Sequence, residues 1–227
     1  YYVMAGMTLI GALWVIKMLP SSRRFVANPN FRSAIQTLGE HVTNRYVVTA
    51  CLLGACVLFS LVGCFTFINL HLAKSPYELS TGALANIFAV YLIGVIITPL
   101  STKLLRRFGS ARTVRVAVLV SMAGVLLTLV TPLWGIIIGL AVMSSGVFIT
   151  QSATISYIAV NVKKGRSLAS GLYYMGYYAG GTLGAWLGGL VYARGQWSLT
   201  VCLLLFVQVL ALLMASFGMI KTKSPAP

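Results

Sequence analysis

Long apolar runs broken by short polar stretches organise this chain. They fall at Tyr2–Leu19, Tyr46–Leu70, Leu79–Leu100, Val114–Val130, Trp134–Val160, Leu168–Tyr192 and Ser198–Ile220. A bilayer's hydrocarbon core is about 30 Å thick and takes roughly 20 helical residues to cross, so each run is long enough, or nearly so, to span it. Lipid offers no hydrogen-bond partner to an open strand edge, and the runs show no alternating apolar and polar pattern of a barrel. The pattern therefore predicts an all-α, polytopic transmembrane helix bundle with seven crossings. Runs longer than about 20 residues are expected to tilt or to leave one end in water.

Composition strengthens this reading. The chain has 227 residues, of which 59% are hydrophobic and only 8% charged. A soluble domain carries about 25% charged residues, so this one cannot cover a water-facing surface. The net charge of +15 suggests nucleic acid at first sight. Its distribution argues against that partner, because the positive residues lie in segments between apolar runs rather than on one basic face.

The same distribution orients the chain. Arg23, Arg24, Arg32 and Arg45 follow the first run, and Lys103, Arg106, Arg107, Arg112 and Arg115 follow the third. Lys163, Lys164 and Arg166 follow the fifth, and Lys221 and Lys223 lie in the tail. Only Lys74 and Arg194 fall on the opposite side, while Lys17 sits at a span end. Fourteen against two places the basic segments and the tail in the cytoplasm. Trp134 and Trp197 open the fifth and seventh runs on the other side, where amphipathic rings suit the interface. Between the first two runs, Phe31, Ile35, Leu38 and Val42 recur at helical spacing after Asn28-Pro29. That stretch is either a short helix on the inner membrane surface or a solvated linker.

The sixth run carries the densest pattern. Gly176, Gly180, Gly184 and Gly188 recur every fourth residue, giving overlapping G-x-x-x-G steps that let helix backbones approach closely. The row drifts around the helix, so it suits a neighbour that crosses at an angle. The contact is either static packing or a sliding surface between moving bundles. Tyr173 and Tyr177 share the glycine side, whereas Tyr174 and Tyr178 lie roughly 100° or more away. One of these pairs is a candidate to face an internal cavity, with ordinary packing as the alternative.

Other polar groups inside the runs are Thr66, Asn69, Asn86, Tyr91, Ser144, Ser145, Thr150, Gln151 and Ser152. Polar side chains in hydrocarbon face the bundle interior or a wet cavity. Gln151 and Asn86 are preferred as lining groups because amides cost more than hydroxyls to leave unpaired. Thr66, Asn69, Tyr174 and Tyr178 complete the set of substrate-cavity candidates, and interhelical hydrogen bonding is the alternative role for each.

Several chemistries find no support. The only acidic residues are Glu40 and Glu78, both outside the runs, so no span holds a carboxylate for a proton relay. Cys51, Cys56, Cys64 and Cys202 lie inside apolar runs without a C-x-x-C pair and read as small hydrophobes. His41 and His71 have no ligands at metal spacing. No catalytic residue, cofactor or metal is expected, because no P-loop, H-E-x-x-H or clustered nucleophile and base occurs. A membrane enzyme is thereby disfavoured. A seven-helix receptor shares the expected topology, but the seventh run has no lysine for a retinal Schiff base.

Three stretches resemble the major facilitator superfamily, transporters of twelve helices in two six-helix halves. Met18-Leu19-Pro20-Ser21-Ser22-Arg23-Arg24 looks like the L-P-E-[ST] sequence that often ends the sixth helix, with Ser21 in place of Glu. Thr102–Gly109 is similar to the loop motif G-x-L-x-D-R-x-G, matched at Leu104, Arg107 and Gly109. Thr102 replaces its first Gly and Arg106 its Asp, so no gating salt bridge can be carried over to Arg106. Ser170–Gly181 looks like the eleventh helix of bacterial drug-efflux and sugar-efflux-type members. The resemblance implies a transmembrane helix 6 of a truncated N-terminal half at 1–19 and a cytoplasmic inter-half loop at 20–45. It implies a C-terminal six-helix bundle at 46–220 and a cytoplasmic tail at 221–227.

It implies alternating access and export of small, partly apolar solutes across a bacterial inner membrane, with proton-coupled antiport common in this branch. The implied partners are the lipid bilayer, the absent N-terminal half, a small-molecule substrate and protons. Asn69 and Gln151 would lie near the cavity and the glycine row at the contact between halves. The opening Tyr1-Tyr2, without an initiator Met or signal-peptide pattern, and the odd count of runs fit one leftover helix plus an intact half.

Overall fold

A computed structural model describes residues 2–18 and 31–219. The Leu19–Arg24 stretch, Asn28-Pro29, Lys221 and Lys223 lie outside the described residues. Two compact units make up the chain, residues 1–36 and residues 37–227. In the first, α1 (Tyr2–Met18) is apolar on every face. The Thr8 hydroxyl donates to the Met4 carbonyl at 2.9 Å, which satisfies it within the helix.

Helix α2 (Phe31–Thr43) runs into the second unit and ends at Asn44, whose side chain accepts from the Tyr46 N–H at 2.9 Å and so starts α3 (Arg45–Leu72). The stretch from Phe31 to Val42, read as either a short helix or a solvated linker, is helical. Next come α4 (Thr81–Ile87), a 3₁₀ turn at Phe88–Leu92 and α5 (Ile93–Phe108), one continuous crossing of 28 residues. Then follow α6 (Ser110–Leu127), α7 (Leu133–Asn161) and α8 (Arg166–Leu213), the last continued by a π turn at Met214–Gly218. No strand occurs among the described residues.

Three details depart from the expected boundaries. The third crossing continues through Pro99 to Phe108, and α6 starts at Ser110, leaving Gly109 as the sole connector. Gly109 has φ 74° and ψ 164°, a region open essentially to glycine alone. Lys103, Arg106, Arg107, Arg112 and Arg115 thus ride on helix ends, not on a loop.

Secondly, α8 and its π turn cover 53 residues, about 80 Å of helix, far more than one crossing needs. The helix breaks at Gly195 and Gln196, where φ and ψ are −136°, 18° and 53°, −149°. This separates a first limb (166–194) from a second limb (197–213), matching the sixth and seventh runs. Lys74 Nζ donates to Gln196 Oε1 at 3.1 Å and holds the turn from outside.

Thirdly, Trp197 is buried, not an interfacial ring. Its indole N–H donates to the Thr128 carbonyl at 3.2 Å and its ring stacks on His71. Trp134 is exposed as expected.

Two backbone-to-backbone seams hold the second unit together. On the first, α8 lays its glycine row on α3 in the same chain direction: Gly176 meets Cys51, Gly180 meets Ala55 and Gly184 meets Phe59. Contact advances four residues on each helix, the row-on-row packing of closely crossing helices. A Cβ on Gly184 would lie 2.6 Å from the Phe59 carbonyl oxygen, and one on Gly180 would overlap the Ala55 backbone. By Gly188 the helices have parted enough for the Phe67 ring to enter, stacked on Tyr192 at 5.5 Å.

The second seam joins α6 and α7 antiparallel. Gly139 and Gly146, seven apart and so on one face, meet Gly124 and the Ala117–Ser121 backbone. The sequence reading did not single out this pair.

Gly180→Ala and Gly171→Ala make the same chemical change at a sealed and an open site. Nothing lies within 4 Å of a Cβ on Gly171, so its alanine variant should gain up to about 1 kcal/mol of helix propensity. Gly180→Ala should instead lose about 1–3 kcal/mol through forced separation of α3 and α8. Thermal unfolding in detergent should move Tm in opposite directions; equal shifts would contradict the seam.

Candidate functional site

One face of the second unit gathers aromatic rings and amides. The 3₁₀ turn tightens the chain between α4 and α5 and places Phe88 and Tyr91 there. The Tyr91 ring lies 4.3 Å from Phe65 of α3 and 6.2 Å from Phe148 of α7, centroid to centroid. Gly94 clears the space for Phe148, since a Cβ there would lie 3.0 Å from that ring. From α7, the Gln151 side chain lies beside that of Tyr177 on α8, near enough for the two to interact. Tyr177 in turn lies in the neighbourhood of Tyr91. Tyr178 packs edge-on against Tyr177 at 5.5 Å and stacks with Tyr174 at 6.5 Å. The result is a wall drawn from four helices, with Gln151 and Tyr177 half-covered or buried at its middle and Tyr178 64% exposed at its edge.

The expected cavity residues separate on this surface. Gln151 is central. Tyr174 and Tyr178 are exposed beside it, while Tyr173 and Tyr177 are buried, as their angular positions suggested. Tyr173 fills the space that Gly54 leaves on α3 and belongs to packing. Asn69 turns its amide N–H to the Phe65 carbonyl at 2.6 Å and keeps a buried Oδ1 without a partner. Thr66 and Asn86 are exposed on α3 and α4.

Most of the hydroxyls on α7 serve the bundle instead. Ser145 and Thr150 donate to the carbonyls of Ala141 and Gly146, one turn back, and Ser152 accepts from Ser101 at 2.8 Å. Two groups escaped the sequence reading. Phe148 looked like one apolar residue among many; its signal was its place three residues before Gln151 on the same face. Gln208, buried in the second limb of α8, donates to Ser121 at 2.9 Å and ties α8 to α6.

The glycine row is a contact inside the bundle. Gly180, Gly184 and Gly188 are buried and Gly176 half-buried, and α3 fills their face. Of the two roles expected for this row, helix packing and contact between halves, the contacts here are those of helix packing against α3. At the α5–α6 end, Leu104 is half-buried, Arg106 and Arg107 are exposed in the last turn of α5, and Gly109 makes the turn. Positive charge is favoured at that helix terminus, where unpaired carbonyls concentrate negative potential.

Comparison with known proteins fits this architecture. A family model described as the Major Facilitator Superfamily matches residues 1–166. An uncharacterised transporter of Buchnera aphidicola (subspecies Schizaphis graminum) is 26% identical over 93% of this chain and 52% of its own length. The MFS-type transporter YybF of Bacillus subtilis is 26% identical over 96% of this chain and 54% of its own. The inner membrane transport protein YnfM of Escherichia coli is 27% identical over 92% and 50%. The chain thus spans about half the length of the curated relatives it matches. Among solved structures, the E. coli fucose:proton symporter FucP superposes with a TM-score of 0.72 at 17% identity, over 97% of this chain and 55% of its own.

Cysteine substitution tests whether the aromatic wall meets water. With the native cysteines replaced, Tyr178→Cys should react with a small, charged thiol reagent fastest, Tyr174→Cys more slowly and Tyr173→Cys not at all. An unreactive Tyr178→Cys in the membrane-embedded protein would mean that lipid or protein seals this face.

Proposed function

The chain belongs to the major facilitator superfamily, and on that premise we propose that it is the C-terminal part of a secondary active transporter. This membership displaces the seven-helix receptor reading. The wall of Tyr91, Phe148, Gln151, Tyr177 and Tyr178 forms this part's share of a central solute passage, which opens alternately to the two sides as the halves rock. Its chemistry favours a small, uncharged, partly apolar solute: ring faces take up apolar or C–H surface, and one amide and several hydroxyls supply hydrogen bonds. The observation that carries this reading is the Gln151 amide set beside Tyr177 among the rings of Tyr91, Phe148 and Tyr178, with no carboxylate or basic side chain on the wall.

Export is the direction proposed, of drug or sugar-efflux type, from the likeness of Ser170–Gly181 to such members. If transport is an antiport coupled to protons, the titrating carboxylate must come from outside this chain's spans, which contain none. The basic helix ends face the cytoplasm in this proposal, by the excess of lysine and arginine there.

Solute flux in proteoliposomes containing the full-length protein tests the reading. A hydrogen bond to an uncharged partner is worth about 0.5–1.5 kcal/mol, so Gln151→Leu and Tyr177→Phe should each raise KM roughly 2- to 12-fold. Gly171→Ala, whose added Cβ would meet nothing within 4 Å, should leave flux unchanged. Absence of solute-dependent flux across a broad panel, or indifference of flux to Gln151→Leu, would reject it.

A further inference from the structure

A second recess lies on residues that the aromatic wall does not use. It is an open groove of about 710 Å³ between the ends of α5 and α6, α7 and the last turns of α8. That volume falls within the roughly 300–1,000 Å³ of sites that hold a whole small amphiphile. One stripe of α6 forms its floor. Arg112 and Arg115 stand at the top, and Val116, Leu119 and Val120 continue below them at the i+4, i+7 and i+8 positions of a single helix face. Leu104 and Phe108 from α5 make one wall, and Leu212 with Ser216 from the π turn makes the other.

The three valine and leucine side chains are exposed although they sit in the middle of an apolar span. Val116 is 61% exposed and Leu119 51%. Beside them Thr113, 4% exposed, lines the groove with a buried hydroxyl that has no hydrogen-bond partner. Thr150 and Thr154 satisfy their hydroxyls on the preceding turn, whereas Thr113, like Ser60 and Ser144, leaves its own without a partner.

The groove is graded in the way a phospholipid is graded. From Arg112 to Val120 the helix descends about 12 Å, most of the roughly 15 Å that one leaflet contributes to the hydrocarbon core. With Arg112 set at headgroup depth, the two guanidiniums stand at the membrane's edge and the apolar stripe runs along the acyl chains, Thr113 lying between the arginines on the helix. No acidic residue lies in the groove; the chain's two, Glu40 and Glu78, belong to α2 and to the segment before α4. Basic recesses between transmembrane helices suit anionic headgroups, which arginine can engage through two parallel hydrogen bonds.

We propose that this groove binds one anionic phospholipid, its phosphate held by Arg112 and Arg115 and an acyl chain laid along Val116, Leu119 and Val120. Zwitterionic lipid fills the groove only as bulk solvent, because its headgroup carries no net charge for the two arginines to select.

Native mass spectrometry of the detergent-purified full-length protein, titrated with phosphatidylglycerol or with phosphatidylcholine of the same chains, tests this. One phosphatidylglycerol should bind preferentially. Each arginine near a lipid surface is worth about a fivefold change in binding, so Arg112→Gln/Arg115→Gln should weaken phosphatidylglycerol roughly 25-fold, toward the phosphatidylcholine level. Lys163→Gln/Lys164→Gln removes equal charge from an exposed connector outside the groove and should leave the preference intact. Leu119→Trp, which fills the groove, should weaken phosphatidylglycerol binding with both arginines present. Glycerol phosphate without acyl chains should not displace the lipid. Equal binding of the two lipids, an equal loss in the two double variants, or displacement by glycerol phosphate would overturn the proposal.

Discussion

Close approach of two helix backbones, α3 and the first limb of α8, is the interaction on which the second unit depends. In lipid there is no hydrophobic effect to press helices together, so association rests on van der Waals contact and on hydrogen bonds. Gly180 and Gly184 remove the side chains that would hold the axes apart, and Ala55 and Phe59 supply backbone to fill the gap. The α8 share of the aromatic wall inherits its position from that seam. Tyr177 is one residue from Met175-Gly176 and three before Gly180, so its reach toward Gln151 and Tyr91 is set by how deeply α8 beds into α3.

Polar groups inside the bundle follow the same economy. Each hydroxyl or amide placed in hydrocarbon must find a partner or cost about 1–3 kcal/mol. Most take the nearest option, the carbonyl one turn earlier. A few reach across: Gln208 to Ser121, Ser101 to Ser152, Trp197 to Thr128. These three link α6 with α8 twice and α5 with α7 once, and they fix rotation of helices whose apolar surfaces alone would specify it weakly. The Gln151–Tyr177 pair differs because it sits at a partly open surface.

What the sequence disclosed depends on the range of the physics involved. Span existence and helix type follow from composition over some 20 residues, and all seven runs are helical through their described interiors. The glycine row was legible because four-residue spacing is a local property of one helix. Its partner was not, since nothing in Gly176–Gly188 names Cys51–Phe59. That is why the sequence left open whether the row packs within the bundle or between halves, and only the fold shows α3 against it. The angular split of the four tyrosines was readable for the same local reason. The wall itself was not: Phe65, Tyr91, Phe148 and Gln151 are far apart in the chain, and the 3₁₀ turn that aims Tyr91 has no strong sequence mark. Trp197 misled because a tryptophan at a span end reads as an interfacial anchor, whereas here a neighbouring carbonyl claims its N–H inside the bundle.

Gly109 has a mechanical consequence. Successive Cα atoms are 3.8 Å apart, so a one-residue link lets the end of α5 and the start of α6 separate by no more than about 7 Å. The α3–α4 connection, Ala73–Ser80, carries slack; this one carries none. Any tilt of α5 therefore arrives at α6 as a pull on Ser110, and the Gly124–Gly139 seam passes the load to α7. The three helices behave as a single lever with its elbow at a residue that bears no side chain.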